Sequence, residues 1–217
     1  MPLGPAESGG FPGWDGAVST KQPVGGSGSA APGLRVHVRS AELPHVERVD
    51  FVQEQYRATA EYDEVVRVAD RLLGHLQEAM VVEAILEANQ PGRSSAAVQA
   101  VFLEQARELG FKDESTGLFK EYASALRPDY YMPLDGTGII LEVERGKTTI
   151  NNMDLLDFWK CHICASADYL FLLVPRELRQ NETMSPRREF ATVSKRLATF
   201  FEPGNYTNVR GLCLFGY

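Results

Sequence analysis

Cysteine is scarce in this chain, basic residues are outnumbered, and no apolar run approaches the ~18 residues that crossing a bilayer requires. The three cysteines, Cys161, Cys164 and Cys213, are odd in number and confined to the C-terminal third. That excludes a secreted disulfide framework and points to a reducing compartment. The opening MPLGPAESGGFPGWDG has neither a basic n-region nor an apolar h-region, so a cytoplasmic location with no membrane partner is expected. The 22 Lys and Arg stand against 29 Asp and Glu, a formal charge of −7. This excludes a basic coat over the whole surface and leaves a local cleft open. No segment recurs at a fixed period, so solenoids and propellers are set aside.

What is present is the composition of one folded domain carrying a tail, 44% hydrophobic and 24% charged over 217 residues. Residues 1–33 hold nine of the 19 glycines and five of the 12 prolines. Ordering such a segment costs roughly 1–2 kcal/mol of backbone entropy per residue with little apolar gain, so a disordered Gly/Pro/Ser-rich tail is expected there. Residues 34–110 read as a mainly helical N-terminal part of the domain. Leu34 to Arg39 alternates as a short strand or arm, and Asp63 to Asn89 has the spacing of one long amphipathic helix, weak at Gly74. A second helix follows from Ser94 or Ser95, closed by Gly110 as a left-handed cap.

Residues 111–217 read as an α/β core. The runs 139–144 and 169–174 are predicted strands, joined by a helix over 152–165 whose apolar face is Leu155, Leu156, Trp159 and Ile163. That makes a parallel strand-helix-strand unit. Ser185-Pro186 is in the favoured order to open a further helix, and Val209 to Phe215 is a last strand. Gly136-Thr-Gly138 reads as a hairpin turn.

The chemistry concentrates between Arg127 and Lys147. In a strand, Leu141 and Val143 face one side while Glu142 and Glu144 emerge together on the other. Two carboxylates so close raise each other's pKa unless a cation lies between them, which favours a divalent metal. Asp129 supplies a third oxygen from a neighbouring strand, and Mg²⁺ prefers such ligands. Cys161-His-Ile-Cys164 is short of the four ligands of a structural zinc, and its cysteines read as small buried apolar residues. Residues 176 to 210 carry seven Arg and Lys against four Glu, a local excess of three, and Arg187 and Arg188 there are candidate contacts to a phosphate backbone. Arg93-Ser-Ser95 has the donors of a phosphate clamp at a helix start. Thr148, Thr149, Asn151 and Asn152, just beyond the strand, are small hydrogen-bonding residues that suit either phosphate contacts or helix capping.

Over residues 95 to 217 the chain resembles the PD-(D/E)xK, or restriction endonuclease-like, nuclease superfamily. Pro128-Asp129 matches its PD, Glu142 matches the following acid, and Glu144 stands where most members have lysine, similar to the variant site of BamHI-type enzymes. The resemblance implies a core of helix, three-stranded meander, helix and strand, a central mixed sheet flanked by helices. It implies Mg²⁺, or Mn²⁺, held by Asp129, Glu142 and the Val143 carbonyl, with Glu144 positioning a water or binding a second metal. Lys160, Lys147 or Arg145 would replace the missing lysine, Lys160 being favoured, with Lys147 also a candidate DNA contact. An acid from the preceding helix, Glu104, Glu108 or Glu121, would complete the site. The implied activity is metal-dependent hydrolysis of DNA phosphodiesters, as in a restriction or phage-defence endonuclease, with DNA as partner and a homodimer if both strands are cut. Whether a methyltransferase accompanies it stays open. The alternatives are an inactive nuclease-fold protein that binds DNA or acts as a scaffold, and a repair nuclease that recognises DNA structure.

Overall fold

The computed structural model describes residues 46–113, 119, 127–146, 148–179, 183 and 185–217. The expected tail over 1–33, the strand or arm over 34–39, and the candidates Glu121 and Lys147 lie outside these. The fold is mixed α/β, a six-stranded mixed sheet with helices on both faces, in the strand order β1-β6-β5-β4-β3-β2.

Chain order is β1 (Glu47–Val52), α1 (Ala60–Leu76), α2 (Ala79–Ala88), α3 (Ser95–Leu109), β2 (Lys112–Asp113), β3 (Tyr130–Leu134), β4 (Thr137–Val143), α4 (Met153–Ile163), β5 (Tyr169–Val174), α5 (Glu189–Ala198) and β6 (Gly211–Gly216). Strands β2, β3 and β4 form an antiparallel meander. Strands β4, β5 and β6 run parallel, as the strand-helix-strand reading expected, and β1 closes the far edge antiparallel to β6. Both faces of the central strands are covered, so β5 is an unbroken buried run, Tyr169 to Val174. Alternation sends Leu141, Val143, Phe171 and Leu173 into the core under α1–α3, and Ile140, Leu170, Leu172 and Leu214 into the core under α4 and α5.

The helix expected over 63–89 is two helices. Glu78 adopts an extended backbone (φ −65°, ψ 134°) between α1 and α2, and the weak Gly74 lies in the last turn of α1, where its carbonyl accepts from the Gln77 N–H. The first half also holds β1, which a mainly helical reading of 34–110 missed. Its Arg48 is 3% exposed, held by Asp50 at 2.6 Å and Asp70 at 2.8 Å, so a charged residue occupies a position where burial leads one to expect an apolar one. The helix expected from Ser185-Pro186 begins instead at Glu189. The Arg187 backbone exchanges two hydrogen bonds with Leu178, at 2.9 and 3.0 Å, and is unavailable to a helix.

Two turns follow the sequence closely. Gly110 caps α3 at φ +101°. The β3–β4 hairpin turns on Asp135-Gly136, with Gly136 at φ +76° and Leu134 paired to Thr137, so Gly138 belongs to the strand and not to the turn. No helix among the described residues is long and apolar enough to cross a membrane.

Candidate active site

Glu142 sits one residue before the end of β4, and Asp129 immediately before β3. The meander brings them opposite each other, since Tyr130 pairs with Leu141. Each then binds the other strand's backbone: Val143 N–H donates to Asp129 Oδ2 at 2.9 Å, and Asp129 N–H donates to Glu142 Oε2 at 3.2 Å. Val143 thus anchors Asp129 through its amide, while its buried side chain joins the core beneath α1–α3.

Helix α4 packs behind this pair and supplies Lys160 and Asp157. Lys160 Nζ lies 2.9 Å from Glu142 Oε1 and 2.9 Å from Asp157 Oδ1. Asp157 is fully buried and Glu142 is 2% exposed, so Lys160 is a cation shared by two buried carboxylates. Asp157 is the residue the sequence reading missed. Its signal was the Asp157–Lys160 spacing of three, which puts an acid and a base side by side on a helix.

The electrostatics follow from burial. It raises the Glu142 carboxyl well above its ordinary range, with Asp157 adding to the shift and Lys160 opposing it. Burial, then Asp157, pushes Glu144 up to about 8. The Asp157 pKa is likewise raised, by burial against the pull of Lys160. Burial by itself would lower the Lys160 ammonium, but Glu142 and Asp157 overcome it and hold the pKa up. Asp129, Glu142, Glu144 and Asp157 therefore place four carboxyls round one lysine, and their crowding adds to burial in raising Glu142 and Glu144.

These groups open onto a cleft of about 430 Å³ lined by Asp129, Glu142, Val143, Glu144 and Lys160 from the strands and α4, and by Arg93, Ser95 and Gln99 from the start of α3. Arg93 is thus brought to the site. Glu104 and Glu108 are not, being exposed further along α3 and absent from the lining. Arg145 turns from the carboxylates to the Gln90 and Arg93 carbonyls, so it ties the α2–α3 loop to the cleft rim.

Arg187 and Arg188 do not line the cleft. Arg187 pairs with buried Glu189 at 2.8 Å and donates to Thr149 Oγ1, while Arg188 is exposed at the N-cap of α5. Arg176 pairs with Glu47, Arg196 with Asp154, and Arg210 with Glu61 and Asp168, so much of the basic excess over 176–210 is neutralised within the fold. Asn152 takes a left-handed backbone at the N-cap of α4 and accepts from Arg196 at 2.7 Å, and buried Thr148 accepts the Met153 N–H through its carbonyl. Both serve the helix start.

The predicted apolar face of α4 is inverted. Leu156 is 51% exposed, Trp159 57% and Ile163 36%, while Asp154, Asp157, Phe158 and Cys161 are buried. At 100° per residue the two sets lie about half a turn apart. The helix is turned so that Asp157 and Lys160 reach the strand acids and Asp154 reaches Arg196; Leu156, Trp159 and Ile163 are left outside, while Leu155 stays packed at the edge of the core.

Among the described residues, no three His, Cys, Asp or Glu side chains close round one point as a metal cage. Mg²⁺ keeps several of its own waters and takes only one or two carboxylates directly, and Asp129 and Glu142 are the carboxylates on one cleft wall that would serve it. The excess of carboxylates over cations fits the same donor chemistry. Comparison with protein-family models, curated proteins and solved structures returned no match to this chain.

Proposed function

We propose that the protein is a Mg²⁺-dependent DNA endonuclease with a restriction endonuclease-like core, Mn²⁺ being an acceptable substitute. The observation that carries this reading is the convergence of Asp129, Glu142, Glu144 and Lys160 on one cleft, with buried Asp157 holding Lys160 from behind. The order α3, β2-β3-β4 meander, α4, β5 supports it, with the acids beside the second and third strands of the meander.

Asp129, Glu142 and the Val143 carbonyl would hold the metal, which when bound lowers the pKa of a water and offsets charge on a phosphate. The chain's own groups do the rest. Lys160 holds a permanent positive charge at the cleft for a phosphoryl oxygen. Its position on α4 replaces the lysine that Glu144 displaces from β4. Glu144, titrating near 8 in the metal-free protein, is poised to hold or release a proton close to neutral pH. Arg93, Ser95 and Gln99 line the opposite wall, where they would orient the nucleic acid backbone. DNA is the partner, and the low positive charge outside the cleft favours binding through this site over a general electrostatic surface.

The test is calorimetric titration of Mg²⁺ and Mn²⁺ beside a plasmid-cleavage assay, for wild type and Glu142→Ala. Metal-dependent cutting that falls by about 10²–10³-fold in the variant is the expected result. A folded wild type that binds neither metal and leaves intact, nicked and branched DNA uncut would sink the proposal.

A further inference from the structure

We infer that an apolar groove between α2 and Tyr217 is the seat of the chain's own segment Leu34-Arg-Val-His-Val-Arg39. The groove encloses about 420 Å³ between Val46, Val82, Ile85, Leu86, Asn89 and Tyr217, within the ~300–1,000 Å³ of clefts that hold ligands. Its apolar wall is not covered by the described residues, since Leu86 is 50% exposed. Asn89 has a buried Oδ1 with no hydrogen-bond partner among the described residues. The groove thus lacks an apolar filling and one hydrogen-bond donor.

Position, pattern and charge select the occupant. Val46, the first described residue, is itself part of the groove wall, so the preceding chain enters at this place. Residues 40–45 reach up to about 20 Å when extended, and the α2 wall from Val82 to Asn89 is about 10 Å long, so the segment can turn back along it. An extended segment here puts Leu34, Val36 and Val38 on one side and Arg35, His37 and Arg39 on the other. The apolar side fills the groove, and the backbone supplies the N–H that Asn89 lacks. Helix α2 carries Glu83 and Glu87 and no base. Exposed Glu177 stands on the rim, where Arg176 is paired with Glu47. The segment brings two arginines, a histidine and no acid. The same basic side chains would suit a phosphate backbone, but Leu34, Val36 and Val38 would then be left in water.

Seated there, the segment braces the cleft from behind. The Tyr217 hydroxyl donates to the Glu144 carbonyl at 2.6 Å, and Gln90, next to Asn89, accepts from Arg145 through its carbonyl. The walls of the groove are thus bonded directly to the strand end and the rim that shape the cleft. The seating itself does not depend on what the cleft does.

Hydrogen exchange on the full chain, read by mass spectrometry, tests this without reference to catalysis. The amides of residues 34–39 are expected to exchange about tenfold or more slowly than those of a free peptide of the same sequence. Leu86→Asp is expected to abolish that protection while its circular dichroism stays that of the wild type, since Leu86 is half-exposed. Parity is read by pairing Leu86→Cys with either Val36→Cys or Arg35→Cys under mild oxidation, the three native cysteines being buried. The Val36→Cys pair closes an intrachain disulfide about tenfold faster or more, because only that side chain faces the groove. Exchange as fast as in the free peptide overturns the proposal, as do protection that survives Leu86→Asp and cross-linking indifferent to parity. Protection that grows with protein concentration, or disulfides that join separate chains, overturns it in favour of a second copy's segment. Protection that arises only with added duplex DNA overturns it in favour of a phosphate contact.

Discussion

Helices α1 and α4 make opposite use of the same principle. In α1, Val65, Val68, Ala69, Leu72 and Leu76 are buried while Asp63, Glu64, Arg67, Asp70 and Arg71 face water, as apolar transfer dictates. In α4, two carboxylates go inside and Leu156, Trp159 and Ile163 stay out. Burying an ionised acid costs several kcal/mol even when a cation accompanies it, so packing alone would turn α4 the other way. Helix α1 stabilises the fold, and α4 gives up stability to bring charged groups together. Where a sequence breaks the rule its neighbours obey, the break marks the site.

Reversing each helix sharpens the contrast. Placing a carboxylate on the inner face of α1, as in Leu72→Asp, strands an unpaired charge at a fully buried position and is expected to cost more than about 4 kcal/mol. Loss of the cooperative thermal transition, followed by circular dichroism, checks it. The mirror change in α4, Asp157→Leu, removes a buried charge while Lys160 keeps Glu142 as its partner. Stability is expected to rise by about 1–4 kcal/mol as metal-dependent cleavage falls, and urea denaturation run beside the plasmid assay reads both. A variant that both unfolds and loses activity would make Asp157 a structural residue like Leu72.

The third contrast is the pH dependence of the wild type. Burial lifts the Glu144 carboxyl from 4.5 to about 8, so between those values the folded protein keeps a proton that the unfolded chain has released. Stability is then full below about pH 4.5 and declines as pH climbs through 8. Glu144→Gln, which mimics the protonated form, flattens that decline, and melting temperatures measured across the interval check it. No such slope arises from α1, whose buried face is apolar.

The same contrast explains what could be read in advance. The central strands and their parallel crossover were legible because Ile139 to Val143 and Tyr169 to Leu173 are buried on both sides and carry little polarity to confuse the pattern. Strand parity likewise sorted Leu141 and Val143 from Glu142. Strand β1 escaped because Arg48 is buried through partners at Asp50 and, 22 positions away, Asp70, a long-range pairing that no local window contains. The orientation of α4 escaped for the same reason: what rotates it is Glu142, 18 positions earlier. Lys160 meets Glu142 because the face expected to be apolar is the outer one. Asp157, hidden behind that assumed face, went unnoticed.

The exchange of hydrogen bonds between Asp129 and Glu142 has a bearing on errors of assembly. Each acid is gripped by an amide of the opposing strand, so both reach the cleft only when Tyr130 lies across from Leu141. A hairpin slipped by one residue would turn Glu142 to the other side of the sheet and release both grips at once. Misregistered molecules thereby lose the cleft's arrangement altogether, because the feature that builds the cleft also inspects the strand alignment on which it depends.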